Sequence, residues 1–390
     1  MTDTAASIIT GVSAPLAGGR LVIDLDALAE NYRALKLLSG SAETAAVVKA
    51  DAYGLGIAPV ARTLWAEGAR RFFVALPDEG AALRDVLPEA DIFVLNGLFG
   101  EEAAGIYREK RLYPVLNSQS DISTWEAHGY DTDRPRPCAL HVDTGMNRLG
   151  LTFERAQALA RENALTGAIT PLVVMSHLAA ADDPAHPLNA KQFESFQRVR
   201  ALFQECDSSL CNSAGIFLGG DFPGELTRPG IALYGGAAVN GVKNPMRPVV
   251  TAESRIAQVR VIKAGDTVSY GGATVARDTI VAVCSTGYAD GYHRSASGAL
   301  VPLRDASTTP GAYGFIHGRK VPLLGRVTMD LTLFDVTELG PDAVHVGEYV
   351  ELFGANMPID DVAKAAGTIA YELLTSLGHR YHRHYVGGAV

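Results

Sequence analysis

The chain has 390 residues, 47% of them hydrophobic and 20% charged, with 43 acids against 34 bases and a formal net charge of −9. That length and apolar content support a sizeable core and point to two domains. The acidic balance argues against nucleic acid as the main partner, because no basic excess exists to neutralise phosphates.

Residues 1–18 carry no basic stretch followed by a long apolar core. The expectation is a cytoplasmic protein with no membrane partner. The four cysteines, Cys138, Cys206, Cys211 and Cys284, form no C-x-x-C pair and lie near no histidine pair of zinc-finger spacing. They read as buried or free thiols in a reducing compartment, with no metal site.

Residues 21–25 read as a strand, and Asp26 as the N-cap of a helix through Leu28, Tyr32, Leu35 and Leu38 that Gly40 stops. Strand runs recur at 45–48, 72–75, 92–95, 114–116, 138–142, 172–175, 209–211 and 231–234. Helical runs at 57–67, 78–86, 101–109, 120–127, 152–161 and 189–203 lie between them. About eight strand-then-helix repeats predict an α/β fold whose parallel sheet closes as a (β/α)8 barrel. An open doubly wound sheet is the alternative, but no G-x-G-x-x-G follows the first strand.

Near residue 248 the texture changes. Short β-rich runs at 254–261, 279–284, 320–324, 331–336 and 348–353 are punctuated by glycine and proline. They predict a second, mostly antiparallel β domain, closed by helices at 359–366 and 371–377. The chain thus divides into a flexible N-terminus (1–18), a barrel (19–248) and a mostly β domain (249–390).

In a barrel of this kind active groups sit at the C-terminal ends of the strands. Lys49, Asp143, His177, Asn212 and Arg228 all fall at or just after predicted strands. Lys49 ends a buried run. An ammonium there is costly unless paired or neutralised. It either snorkels to the surface or is a desolvated amine of the Schiff-base kind. Arg148, after the strand at 138–142, is either a surface arginine or a fork for a carboxylate. His177 alone is more often a structural histidine than a functional one. Asn212-Ser213-Ala214-Gly215 is either an N-cap or a turn whose N–H groups hold a phosphate.

Longer strings carry more information. Val47-Val48-Lys49-Ala50-Asp51-Ala52-Tyr53-Gly54-Leu55-Gly56, Asp143-Thr144-Gly145-Met146-Asn147-Arg148-Leu149-Gly150, Met175-Ser176-His177-Leu178-Ala179, Arg228-Pro229-Gly230-Ile231-Ala232-Leu233-Tyr234-Gly235, Gly287-Tyr288-Ala289-Asp290-Gly291-Tyr292 and Gly325-Arg326-Val327-Thr328-Met329-Asp330 stand in this order. Together they resemble the signatures of the bacterial alanine racemases, from about Leu21 to Tyr371.

The resemblance implies pyridoxal phosphate carried on Lys49, with Lys49 and Tyr288 as the two acid–base groups on opposite faces of an amino acid. It implies Arg228 against the pyridine nitrogen, braced by His177. Tyr53, Ser213, Gly230, Ile231 and Tyr371 bind the phosphate, with Asn212 opening the turn beside it. Arg148 and the backbone at Met329 take the substrate carboxylate. It also implies a head-to-tail homodimer, since Lys49 and Tyr288 fall in different predicted domains, and a role in supplying D-alanine for peptidoglycan.

One position departs from the family pattern. Many alanine racemases have a carbamylated lysine two residues before Asp-Thr-Gly, where this chain has His141. Arg148 must then be held by His141 itself, by a bound anion, or by another side chain. A racemase of broader specificity, taking serine or larger residues, stays open. A decarboxylase of the same fold and a pyridoxal phosphate carrier are disfavoured by the Tyr288 string and the second domain.

Overall fold

The computed structural model describes residues 9–128, 130, 131, 134, 135, 137–161, 169–297 and 311–388. Residues 1–8 of the expected flexible N-terminus lie outside the described residues. Two compact units form. One comprises Leu28–Leu233 and Ala237–Met246, the other the described residues of Met1–Ala27, Tyr234–Gly236 and Arg247–Val390.

The first unit is built on parallel strands. Ala46–Val47, Arg71–Val74, Asp91–Val94, Leu112–Leu116, Pro137–His141, Thr170–Met175 and Asp207–Ser209 pair in that order. The short strand Leu226–Thr227 pairs with Glu43–Thr44, just before Ala46. Its other side is stitched to the seventh strand by Arg228 N–H to Cys211 O at 2.9 Å and Glu225 N–H to Ser208 O at 3.1 Å. The sheet therefore closes into an eight-stranded α/β barrel. Phe72, Phe73, Val74, Ile92, Phe93 and Val94 are fully buried. Such continuous apolar runs mark strands covered on both faces.

Three local expectations are corrected. Residues 21–25 are not the first barrel strand: Gly19–Asp24 runs antiparallel to Val250–Ile262 and parallel to Tyr381–Val386 in the other unit. Its strict buried–half-buried alternation is the mark of a one-sided sheet rather than a barrel interior. Residues 231–234 are a 3-10 turn, Ile231–Tyr234, not a strand. Its backbone closes locally, Leu233 N–H to Gly230 O at 2.9 Å, and the eighth strand is the shorter Leu226–Thr227. A buried apolar run of four does not distinguish helix from strand. The helix Leu25–Leu38 is capped by Asp24, whose Oδ1 accepts from Ala27 N–H at 2.8 Å, while Asp26 accepts from Gly388 N–H.

Among the described residues the second unit is a nine-stranded, mainly antiparallel sheet around the long strand Val250–Ile262, which pairs with Gly19–Asp24, Thr279–Cys284 and Tyr349–Phe353. Thr332–Asp335 and the hairpin Tyr313–Ile316/Arg319–Pro322 extend it. The helices Ile359–Ala366 and Ala370–Thr375 follow. All four cysteines are free thiols, and three of them are buried. Among the described residues no helix is long and apolar enough to cross a membrane.

Candidate active site

In the barrel unit the first strand delivers Lys49 into an unusual turn. Ala50, Asp51, Ala52 and Tyr53 all have φ between 52° and 56°, a left-handed helical turn built from residues with side chains. Each such residue costs about 1–2 kcal/mol. The surroundings hold the turn in place. Glu79 Oε1 accepts from Ala50 N–H at 2.6 Å, and Asp51 Oδ1 from Ile57 N–H at 2.7 Å. Ala52 N–H reaches back to Val48 O at 2.9 Å. Strain kept by many contacts is a feature of functional sites. The result is that Lys49 and Tyr53 leave one turn in defined directions.

Burial, then the Arg148 charge, lowers the Lys49 pKa, while Glu79 opposes them. Lys49 is thus a desolvated amine rather than a snorkelling surface lysine. Arg148 sits on an exposed loop shaped by Asp143, which takes the N–H groups of Gly145 and Met146 at 2.9 Å each and of Asn147 at 3.0 Å. Asp143 is therefore occupied with the loop itself. Among the described residues Arg148 has no hydrogen-bond or ion-pair partner.

Arg228 follows the eighth strand and is 3% exposed. Its guanidinium bonds Ser209 Oγ, donates to Ser176 O at 2.6 Å, and points at His177 Nδ1 at 3.5 Å. Among the described residues it meets no carboxylate. Burial pulls its pKa down to about 10, so it still carries its proton at neutral pH. A buried cation without a counter-charge is costly.

The His177 ring lies between Arg228 Nη2 and Asn212 Nδ2, the latter 3.4 Å from Nε2. Burial, then Arg228, Arg148, His141 and Lys49, hold its pKa well below the ordinary value. The ring is neutral. A cationic imidazole has no lone pair to offer either donor, and the neutral ring has one, so it accepts from Arg228 or from Asn212 but not from both.

Asn212 Oδ1 accepts from Gly215 N–H at 2.9 Å, so Asn212 is the N-cap of the short helix Ser213–Leu218. Ser213 Oγ accepts from Gly230 N–H at 2.8 Å and from Ala232 N–H at 3.3 Å. Both partners are donors, so the Ser213 O–H proton remains free to donate elsewhere. Gly230 is bare for a reason: a Cβ there meets Tyr53 Oη at 2.2 Å. Ile231 is fully buried beside it.

These features fit one kind of molecule. It has a carbonyl for Lys49, an acceptor for Arg228 and an anionic end for the Ser213, Gly230 and Tyr53 corner. Sequence reasoning missed several supporting residues: Glu79, Asn117, Ser209 and Gln192. Gln192 is buried and joins His177 O at 2.9 Å to Ala179 N–H at 2.8 Å. The spacing of Glu79, third in a helix that follows a strand, is the signal that could have found it.

Tyr288, Met329 and Tyr371 belong to the other unit. Tyr288 opens the 3-10 turn Tyr288–Asp290 and is 40% exposed, and Met329 is 54% exposed. The two segments interlock through Tyr288 N–H to Thr328 O at 2.9 Å and Ala289 N–H to Met329 O at 3.0 Å. Gly287 has no space for a Cβ, which meets Thr328 O at 2.2 Å. Tyr371 lies on Ala370–Thr375, half exposed, with its carbonyl taken by Thr375 Oγ1.

The fold and the site together define an α/β-barrel protein whose first barrel strand leads into a lysine of lowered pKa and whose eighth leads into a buried arginine that meets no carboxylate among the described residues. Comparison with known proteins narrows the class. Residues 23–238 match the family model for the alanine racemase N-terminal domain, and residues 249–385 that for the C-terminal domain. An alanine racemase of Rhizobium meliloti is 55% identical over 96% of this chain and 98% of its own length. A biosynthetic alanine racemase of Agrobacterium fabrum is 54% identical over 94% of this chain and 93% of its own. The crystal structure of an alanine racemase from Bartonella henselae with covalently bound pyridoxal phosphate superposes with a TM-score of 0.86 at 37% identity, covering 95% of this chain and all of that one. The chain belongs to the alanine racemase family.

Proposed function

We propose that this chain interconverts L- and D-alanine, with pyridoxal phosphate held in the barrel unit and Lys49 and Tyr288 as its two acid–base groups. The observation that carries the reading is the pairing of a desolvated Lys49 with a buried, protonated Arg228 that meets no carboxylate. Family membership and the cofactor bound in the Bartonella henselae relative support it.

Pyridoxal phosphate, when bound, supplies the electron sink that acidifies the α-proton of an amino acid. Lys49 would carry it. Tyr53, Ser213, Gly230, Ile231 and Tyr371 would hold its phosphate, with Asn212 capping the turn. Arg228, which keeps its proton, would donate a hydrogen bond to the cofactor's ring nitrogen rather than a proton. That would limit charge delocalisation into the ring and suppress side reactions. His177, neutral, braces Arg228 without adding a positive charge.

Lys49 Nζ takes or returns the α-proton on the D face, and Tyr288 Oη does so on the L face. Arg148 and the backbone at Met329 orient the substrate carboxylate. Lys49 and Tyr288 lie in different units of one chain, and the reading is completed by a head-to-tail homodimer in which each protomer lends Tyr288 and Met329 to the other. The role is cytoplasmic supply of D-alanine for peptidoglycan, in keeping with the biosynthetic relative.

The test is L-alanine in deuterated water with the holoenzyme, followed for α-proton loss and, by chiral separation, for D-alanine. Both should appear together, and Lys49→Ala should abolish both. Carbon dioxide release without D-alanine would instead indicate a decarboxylase. Full activity in a monomer would sink the dimer assignment.

A further inference from the structure

We infer that Arg380 is a positioning residue that locks the Tyr288 turn and the Met329 turn into one rigid piece, so that the acid–base hydroxyl and the carboxylate-binding backbone keep a fixed register. The inference rests on the proposed roles of Tyr288 and Met329. Its own support is geometric.

Asp290 closes the turn that Tyr288 opens, and it is 3% exposed. Its Oδ2 accepts from Gly287 N–H at 2.9 Å, which pins the residue just before Tyr288. Arg380 donates to the same carboxylate twice, Nε to Oδ1 at 2.6 Å and Nη2 to Oδ2 at 2.8 Å. Its remaining nitrogen, Nη1, donates to Asp330 Oδ1 at 2.8 Å, next to Met329. One planar guanidinium thus spans both turns. A lysine, with a single point of donation, cannot match the two carboxylates in that plane.

The backbone completes the clamp. Gly378 N–H, two residues before Arg380, donates to Asp290 O at 3.1 Å. Gly291 packs so tightly that a Cβ meets Ser376 O at 2.1 Å. Three segments, 287–291, 328–330 and 376–380, therefore converge on one arginine. In contrast, the Tyr288 side chain has no hydrogen-bond partner among the described residues. No hydrogen bond orients its hydroxyl there, and the backbone that carries it is held by Asp290 and Arg380 together with the carbonyls of Thr328 and Met329.

The experiment compares two rates in deuterated water with the holoenzyme: α-deuterium incorporation into D-alanine, which Lys49 alone can perform, and conversion to L-alanine, which also needs Tyr288. In Arg380→Lys the ratio of incorporation to conversion should rise by roughly tenfold, because displacing the hydroxyl slows only the second. A merely structural role lowers both rates together and leaves the ratio unchanged, and that result overturns the inference. Tyr288→Phe is the control. It should raise the ratio most, and if it does not, the underlying reading of Tyr288 falls and takes this inference with it.

A readout independent of turnover is amide exchange in the protein without cofactor. Arg380→Lys should speed exchange in residues 287–291 and 328–331 together. Unchanged exchange in Arg380→Lys overturns the clamp.

Discussion

His141 Nδ1 lies 2.7 Å from Asn117 Oδ1, and the same amide donates through Nδ2 to Leu95 O at 2.9 Å and Val115 O at 3.0 Å. Both amide hydrogens are spent on carbonyls, so the oxygen faces the ring. His141 Nδ1 is therefore the donor, and Nε2 keeps its lone pair. Histidine here is a neutral group held in one tautomer.

Burial, then Arg228 and Arg148, push the His141 pKa down to about 4, with Asp143 opposing. Between pH 6.5 and about 4 the unfolded chain takes up a proton at this residue that the folded chain refuses. Its contribution is intact above pH 6.5 and is lost progressively as pH falls through that window, by about 3 kcal/mol in all. Urea unfolding of the wild type against His141→Gln at pH 8 and pH 4.5 checks this: the wild type should lose more. An NMR titration of the ring near pH 6.5 in the folded protein would sink the assignment.

Arg148 lowers the Lys49 pKa by repulsion. Arg148→Leu should therefore raise it and reduce the neutral amine present at pH 8. The measurement is the rate of Lys49 modification by an amine-selective reagent as a function of pH, in protein without cofactor. The profile should move to higher pH, and a shift to lower pH contradicts the electrostatic account.

Gly230→Ala forces a methyl to within 2.2 Å of Tyr53 Oη and 3.1 Å of Tyr53 Cζ. The ring must move away from the corner proposed to hold phosphate. Overpacking of this kind costs about 1–3 kcal/mol, which corresponds to roughly 10- to 100-fold weaker binding of pyridoxal phosphate. Fluorescence titration with the cofactor reads this directly, and unchanged affinity removes Tyr53 and Gly230 from the site.

Arg84 predicts a pure stability effect. It is 7% exposed and donates to the carbonyls of Leu87, Pro88, Ala90, Lys110 and Arg111. Those carbonyls precede the third and fourth barrel strands, at the N-terminal face, away from where barrel chemistry sits. Arg84→Met should cost roughly 3 kcal/mol in urea unfolding by orphaning the carbonyls. The specific activity of the folded fraction should be unchanged.

Much of the site was legible because its signals are local. Lys49 at the end of a buried run, Arg228 before Pro229-Gly230, and the Tyr288 string each stand out within ten residues of chain. The supporting residues were not legible in that way. Asn117 and Ser209 are ordinary polar residues until folding brings them to His141 and Arg228, across 24 and 19 residues. Nothing in their neighbours along the chain marks them.

By itself the amino-acid order determined the alternation of strands and helices, the change to β texture near residue 248, and which residue types stand at strand ends. Hydrophobic period and turn chemistry act over a few residues, so they can be read from the chain. Only the tertiary structure decided that Gly19–Asp24 joins a sheet with Val250–Ile262, and that two-residue strands at Glu43–Thr44 and Leu226–Thr227 close the barrel. It alone decided that burial and neighbouring arginines lower the pKa values of Lys49 and His141. Pairing across some two hundred residues and desolvation are set by what surrounds a group in space, and a sequence does not carry that until it folds.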